Sequence, residues 1–324
     1  MYLIPYKRQI KKFIFFCAMS LLAIFAWPAM AHSAACQNYS TDASGDFKGE
    51  ASLVYFYMGD SYLTTLAQET VDLSKPFSGA DYKVLLYDQN GTSTSKISAS
   101  KALSQADEVY SPTQDNFLDA IHDIVDQGYV LNIWIISHGN YYTKSDGSEV
   151  AYFKTKDGYL TSDELKAEFG EDCELPIRMV YSAACYHSKM NLTWRELGAK
   201  VATGARYINF YPTQYTKFTT EWTGGKAFNT SLKNSNTSSS RSVVQAYLQV
   251  LALGYSNKGD CGWYPDVLSE TDCAEWFFTD GGPYDMSAYY NDDWSGAGNM
   301  TYSSQKIISG DKTITKSTDL DWDL

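Results

Sequence analysis

Two short runs constrain the fold of this chain more than anything else in it. Val130 to Ile136 reads VLNIWII, and Ile177 to Tyr181 reads IRMVY. Both have strand length, and the first is apolar at every position except Asn132. A strand sends successive side chains to opposite faces, so an uninterrupted apolar strand needs cover on both sides. The centre of a parallel sheet, with helices above and below, provides that cover.

The flanking sequence supplies the remaining layers. Leu53 to Met58 and Tyr82 to Tyr87 read as strands, ended by Gly59-Asp60 and by Asp88, Asn90 and Gly91. Thr113 is a helix N-cap after Pro112. Phe117, Leu118, Ile121, Ile124 and Val125 then keep the helical period, and Gly128 closes the helix. Residues 140–160 are polar, with Gly147, Gly158 and alternating aromatics, and read as a β-hairpin or flap. Thr161 or Ser162 caps a short helix through Phe169. Leu192 to Val201 reads as helix, Tyr207 to Tyr211 as a fifth strand, and Ser242 to Leu253 as an apolar helix ended by Gly254. Strand–helix alternation of this kind predicts an α/β fold: a three-layer αβα sandwich around a mostly parallel central sheet. Residues 255–324, rich in Trp, Tyr, Gly and Asp, read as an irregular C-terminal extension packed on that domain.

The N-terminus carries an address. Lys7, Arg8, Lys11 and Lys12 precede the apolar run Phe13 to Pro28, and Ala29-Met30-Ala31 supplies small residues at a cleavage site. This pattern predicts a signal peptide over 1–31 and a periplasmic or secreted protein. The readings against it are an uncleaved anchor and, at Ser33-Ala34-Ala35-Cys36, an acylation site. A polar N-terminal arm over 32–50 and a catalytic-type domain over 51–254 complete the division. The whole chain has a formal charge of −12, and cleavage at this point would remove four basic residues and no acidic one. So acidic a chain is a poor nucleic-acid binder, because phosphate neutralisation needs clustered Lys and Arg. After removal of the signal, no membrane span is expected.

Without Cys17 in the signal, five cysteines remain. In an oxidising compartment they are expected to pair, and an odd number leaves one over. Cys261 and Cys273 are close in sequence. Pairing Cys36 with Cys173 then leaves Cys185 free. Sequence alone leaves the connectivity open, and a merely buried odd cysteine is the alternative.

The two apolar runs end in reactive residues. The first leads into Ser137-His138-Gly139-Asn140, the second into Ala183-Ala184-Cys185-Tyr186-His187. Ligands of open α/β sheets bind beyond the carboxyl ends of the strands. If the strands are neighbours, a thiol and an imidazole converge there, and the imidazole can take the thiol proton. A glycine lets the backbone approach a substrate closely, so the Gly139 and Cys185 N–H groups are candidate donors to an oxyanion.

These motifs resemble the caspase–legumain–gingipain superfamily of cysteine peptidases, whose fold is caspase-like. Caspases set their histidine about 50 residues before the cysteine, a spacing that His138 and Cys185 match. Ser137 to Asn140, and Leu160-Thr161-Ser162-Asp163-Glu164-Leu165 after the flap, look closest to the bacterial secreted, legumain-like branch. The resemblance covers roughly residues 50–254. It implies Cys185 as nucleophile, His138 as base and proton donor, and Gly139 as an oxyanion donor. It also implies a thioester acyl-enzyme and a protein or peptide substrate. The sequence departs from the caspase pattern at Ala183, which offers no charge to a substrate pocket. Tyr211 and Tyr215 are further pocket candidates.

Other readings compete. His187 is a rival base, although a helix starting there turns its side chain from the thiol. His122 reads as a surface ion pair near Asp119 and Asp126. No Cys-x-x-Cys or His-x-x-x-His spacing suggests a zinc site, and no cofactor is implied. The acidic residues Asp285, Asp292, Asp293, Asp319, Asp321 and Asp323 can hold Ca²⁺, but without EF-hand spacing a solvated surface is the simpler reading. In function, a transpeptidase of the same fold and a catalytically silent binding module at the envelope or cell surface stand beside the endopeptidase. An activated Cys185 is expected to alkylate at mildly acidic pH; a structural one stays inert.

Overall fold

The structure, a computed structural model, describes residues 46–59, 71–89, 97–170, 174–206, 209, 213–236 and 306–318. Its strands run in chain order as β1 (Gly49–Tyr57), β2 (Val71–Asp72), β3 (Tyr82–Tyr87), β4 (Ile97–Ser98), β5 (Glu108–Tyr110) and β6 (Tyr129–Ser137). They continue as β7 (Gly139–Thr143), β8 (Glu149–Lys154), β9 (Tyr159–Thr161), β10 (Ile177–Ser182), β11 (Val201–Ala205) and β12 (Lys306–Gly310). Seven of them form the central sheet in the order β12-β11-β10-β6-β1-β3-β5. Every pairing from β11 across to β5 is parallel, and β12 adds an antiparallel edge.

The apolar runs sit where their composition requires. All nine residues of β6 and all six of β10 are buried. Alternate residues enter separate cores. Ile133, Ile135 and Val180 join one cluster, with Phe117, Ile121 and Ile124 of the helix Gln114–Asp126. Trp134, Ile136, Met179 and Tyr181 join the other, with Phe218 and Trp222 of the helix Thr213–Thr223. The result is the expected three-layer α/β arrangement. Each large apolar side chain so buried contributes about 1.5–3 kcal/mol.

Local signals also hold. The Thr113 side chain accepts from the Asn116 N–H, and Gly128 follows the helix with φ +83°. Thr161 and Glu164 form a reciprocal capping box at the helix Ser162–Phe169. The flap is a three-stranded antiparallel sheet, β7-β8-β9. His122 bonds Glu168 of the neighbouring helix at 2.9 Å, rather than Asp119 or Asp126.

Three features depart from the sequence reading. The strand beyond β10 is Val201–Ala205, and the helix before it ends at Glu196 rather than running to Val201; of the expected strand Tyr207 to Tyr211, all but Asn209 lies outside the described residues. VATGA is weak in strand formers, yet small residues are what the position needs. A Cβ on Gly204 would lie 2.3 Å from the His187 carbonyl carbon. Second, Glu108–Tyr110 is an edge strand, too short for alternation to register. Third, part of the C-terminal extension is regular. Residues 306–310 close the sheet edge, Ile314 enters the second core, and buried Arg178 donates to the Thr318 carbonyl at 2.6 Å. The expected signal segment, the expected helix over 242–253 and most of the extension lie outside the described residues. Among those described, no helix is long and apolar enough to cross a membrane.

Candidate active site

β6 and β10 are parallel neighbours, with Ser182 opposite Ile135. The ladder runs one step further, through the Ala183 N–H to the Ile135 carbonyl at 2.7 Å. His138 follows β6 directly, and Cys185 lies three residues beyond the end of β10. Adjacent strands lie about 4.8 Å apart, so the two segments share the carboxyl edge of the sheet. Their backbones touch. A Cβ on Gly139 would lie 2.6 Å from the Cys185 carbonyl oxygen and 2.9 Å from Ala184 Cβ. Only a residue without a side chain fits between the flap and the cysteine turn.

Side chains fasten both ends. The single Ser137 hydroxyl hydrogen is shared between the Tyr57 carbonyl at 2.8 Å and the Lys154 carbonyl at 2.7 Å, which ties β6, β1 and the flap together just before His138. The Ala184 N–H donates to Ser182 Oγ at 3.1 Å, bending the chain into the cysteine. Tyr186 follows with φ +55° and ψ 13°, and it is the single non-glycine residue at positive φ among those described. A left-handed tyrosine costs on the order of 1 kcal/mol and persists only where its surroundings hold it. Here the Tyr141 ring of the flap lies 5.3 Å from its own.

Cys185 is a free thiol, half-buried. Burial pushes its pKa above the ordinary value. The Asn209 N–H, the Lys306 charge and the N–H groups of Gly139 and Cys185 itself pull the other way without overcoming it. The Asn209 nitrogen lies 3.3 Å from Sγ. Burial therefore favours the protonated thiol at rest. His138 is half-buried, and its pKa is pushed below the ordinary value by burial and the nearby Lys154 charge, against a hydrogen bond to the Met58 backbone. It is neutral near neutral pH and able to accept a proton.

Two residues that sequence reasoning missed complete the setting. Asn209 donates its Nδ2 to the Ala183 carbonyl at 2.6 Å, and its Oδ1 accepts from Lys306 Nζ at 2.9 Å. Lys306 is 3% exposed, and burial pulls its pKa down to about 7 while Cys185 opposes the change. No local motif marks either residue; only the sheet order brings them to the thiol. His187, the rival base, is 1% exposed with neither ring nitrogen partnered, and its ring packs edge-on against Phe153. Burial and Lys306 push its pKa down to about 3, so it is a neutral core group.

The pocket candidates divide. Ala183 lies beside the thiol, half-buried. Tyr215 does not line the site: it is 1% exposed, packs on Trp134 and Tyr181, and donates to the Asp72 carbonyl at 3.2 Å. Its position in the first turn of Thr213–Thr223 turns it into the second core. Tyr211 and the cysteines Cys36, Cys173, Cys261 and Cys273 lie outside the described residues, as do the acidic residues from Asp285 to Asp293 and from Asp319 to Asp323. Among the described residues, no cluster of three His, Cys, Asp or Glu side chains is placed to hold a metal.

No protein-family model matches this chain. No curated protein matches it either. Among solved structures it is similar to the crystal structure of protein GSU0716 from Geobacter sulfurreducens, at 14% identity and a TM-score of 0.34, over 58% of this chain and 88% of that one.

Proposed function

We propose that this protein is a secreted cysteine endopeptidase acting through a Cys185–His138 dyad and a thioester acyl-enzyme. The observation that carries the reading is the juxtaposition at one sheet edge. A free thiol and a neutral imidazole follow the carboxyl ends of neighbouring parallel strands, Gly139 packs directly on the cysteine turn, and the Asn209 N–H lies 3.3 Å from the sulfur. The likeness of the His-Gly and Ala-Cys motifs to the caspase–legumain–gingipain superfamily adds the peptide substrate.

The resting states set the order of events. The thiol is protonated and His138 is not, so the proton moves as the bond forms. Cys185 Sγ attacks the scissile carbonyl carbon while His138 accepts the thiol proton. The carbonyl oxygen gains the negative charge and takes hydrogen bonds from the Gly139 and Cys185 N–H groups. His138 then protonates the leaving amine, the C–N bond breaks, and a thioester remains. Water, deprotonated by His138, releases the acid and restores the thiol. An amine in place of water gives transpeptidation from the same intermediate.

One observation favours a second reading. A thiol whose burial outweighs its hydrogen bonds is also what a structural cysteine looks like, as a silent binding module would have. Covalent trapping separates the two. A peptidyl acyloxymethyl ketone is expected to label Cys185 in the wild type, and more slowly by at least about 100-fold in His138→Ala, the scale of general-base assistance. Equal labelling of both, or none of either, removes the dyad.

A further inference from the structure

Lys306 opens β12 and pairs with Ala205, the last residue of β11. Because β12 runs against its neighbours, its first residue lies at the carboxyl edge of the parallel strands, where Cys185 lies. The Lys306 N–H is fixed to Asn236 Oδ1 at 3.1 Å, and the side chain turns inward, 3% exposed, with Nζ 2.9 Å from Asn209 Oδ1. Asn209 in turn reaches the thiol through its N–H at 3.3 Å and the turn before the thiol through Nδ2 at 2.6 Å. One asparagine thus joins ammonium, sulfur and strand end.

A buried ammonium ordinarily faces a carboxylate, because an unpaired charge away from water is expensive. Around Lys306 stand the Tyr181 ring, with Nζ 5.8 Å from its centroid, the neutral His187 and Cys185. Among the described residues, Cys185 is the one ionisable group whose negative form favours the ammonium. Across the thiol, His138 and Lys154 are the remaining titratable neighbours, and Lys154 acts on His138.

We propose that Lys306 is a positioning residue for the Cys185 thiolate: its ammonium, held in place by Asn209, is the counter-charge to the sulfur anion that forms when the S–H bond breaks. The thiol proton leaves to His138 during peptide attack, or to solvent base during alkylation. Lys306 exchanges no bond in either case; it lowers the energy of the anion. The site is then built from both ends of the domain, with the C-terminal edge strand supplying its cation. The inference rests on Cys185 as nucleophile, but its test reads thiol ionisation and does not need peptide turnover.

The experiment follows iodoacetamide alkylation of Cys185 by peptide mass spectrometry, from about pH 6 to about pH 10, a range spanning the ordinary thiol value. It compares wild type, Lys306→Met and Lys306→Arg. Loss of the charge is expected to slow alkylation about tenfold at and below about pH 7, where Lys306 carries its charge, equivalent to ~1.4 kcal/mol in thiol ionisation. The limiting alkaline rate is unchanged, and Lys306→Arg keeps most of the wild-type profile. A Lys306→Met profile that overlays the wild type overturns the proposal, as does an Arg variant that falls as far as Met. If Lys306→Met does not fold, the reciprocal measurement stands in. In ¹³C-lysine NMR, Cys185→Asp, which fixes a negative charge where the thiolate forms, is expected to shift the Lys306 inflection to higher pH. An unmoved inflection overturns the proposal too. Peptide turnover with an unmoved profile defeats Lys306 alone; a shifted profile without turnover defeats the peptidase reading alone.

Discussion

Gly139→Ala tests the contact between the two strand ends. The added Cβ would lie 2.6 Å from the Cys185 carbonyl oxygen, 2.9 Å from Ala184 Cβ and 3.2 Å from the Tyr152 carbonyl oxygen. Relaxed carbon contacts lie at about 3.5–4.0 Å. Two of the three obstacles are backbone and cannot swing aside, so the cysteine turn and the flap must separate by on the order of 1 Å to restore that distance. Overpacking of this kind costs about 1–3 kcal/mol, and for a domain of this size each kcal/mol lowers Tm by about 2–4 °C. The effect on chemistry is larger, since a displacement of about 1 Å at the reacting atoms can lower the rate about 100-fold. Thermal unfolding and kcat/KM on a fluorogenic peptide, measured together, check both parts. The expected variant is folded, modestly less stable and nearly inactive. Full activity, with or without the Tm loss, would refute the claim that this contact sets the nucleophile.

Further predictions concern charge and packing. Lys154→Met removes a charge that holds the His138 pKa down. The acid limb of kcat/KM should move to higher pH, and a limb that stays or moves down contradicts the assignment of His138 as base. Glu221 accepts from Lys217 at 2.8 Å, Lys226 at 3.1 Å and Asn234 at 2.7 Å. Burial would raise its pKa, but these bonds outweigh it and bring it to about 2. Its folded value lies below the unfolded one. The stabilisation is therefore complete above the unfolded value and lost as pH falls towards 2. Glu221→Gln should cost about 1–3 kcal/mol at neutral pH, with the gap closing in acid urea titrations; a gap constant with pH would refute this. Gly204→Ala sets a Cβ 2.3 Å from the His187 carbonyl carbon and 2.6 Å from the Ser188 nitrogen. It should destabilise the fold by about 1–3 kcal/mol or more, and a wild-type urea midpoint would show that the turn after Cys185 yields freely.

Much of the architecture was legible because local and global requirements agree. The all-apolar β6 and β10 need two covered faces, and Thr113, Thr161 and Glu164 cap where their side chains can satisfy helix N–H groups. That the segments after β6 and β10 share one sheet edge follows from strand order, which right-handed parallel crossovers restrict. What stayed hidden depends on contacts distant in sequence. Val201–Ala205 reads as a poor strand because its small residues answer to the His187 turn packed on them. Lys306 sits in KIISG, an unremarkable edge strand, and acquires meaning only when antiparallel pairing carries it to Asn209 and the thiol. Tyr215 was misplaced for the reverse reason. Nearness in sequence to the site says nothing of which face of its helix it occupies, and that face is the second core.

The central claim is that Cys185 is the nucleophile of a peptidase. A fluorogenic peptide library incubated with wild type, Cys185→Ala and His138→Ala tests it most directly, with circular dichroism confirming that all three are folded. The account predicts turnover by the wild type and its loss in both variants. Hydrolysis retained in Cys185→Ala would contradict it.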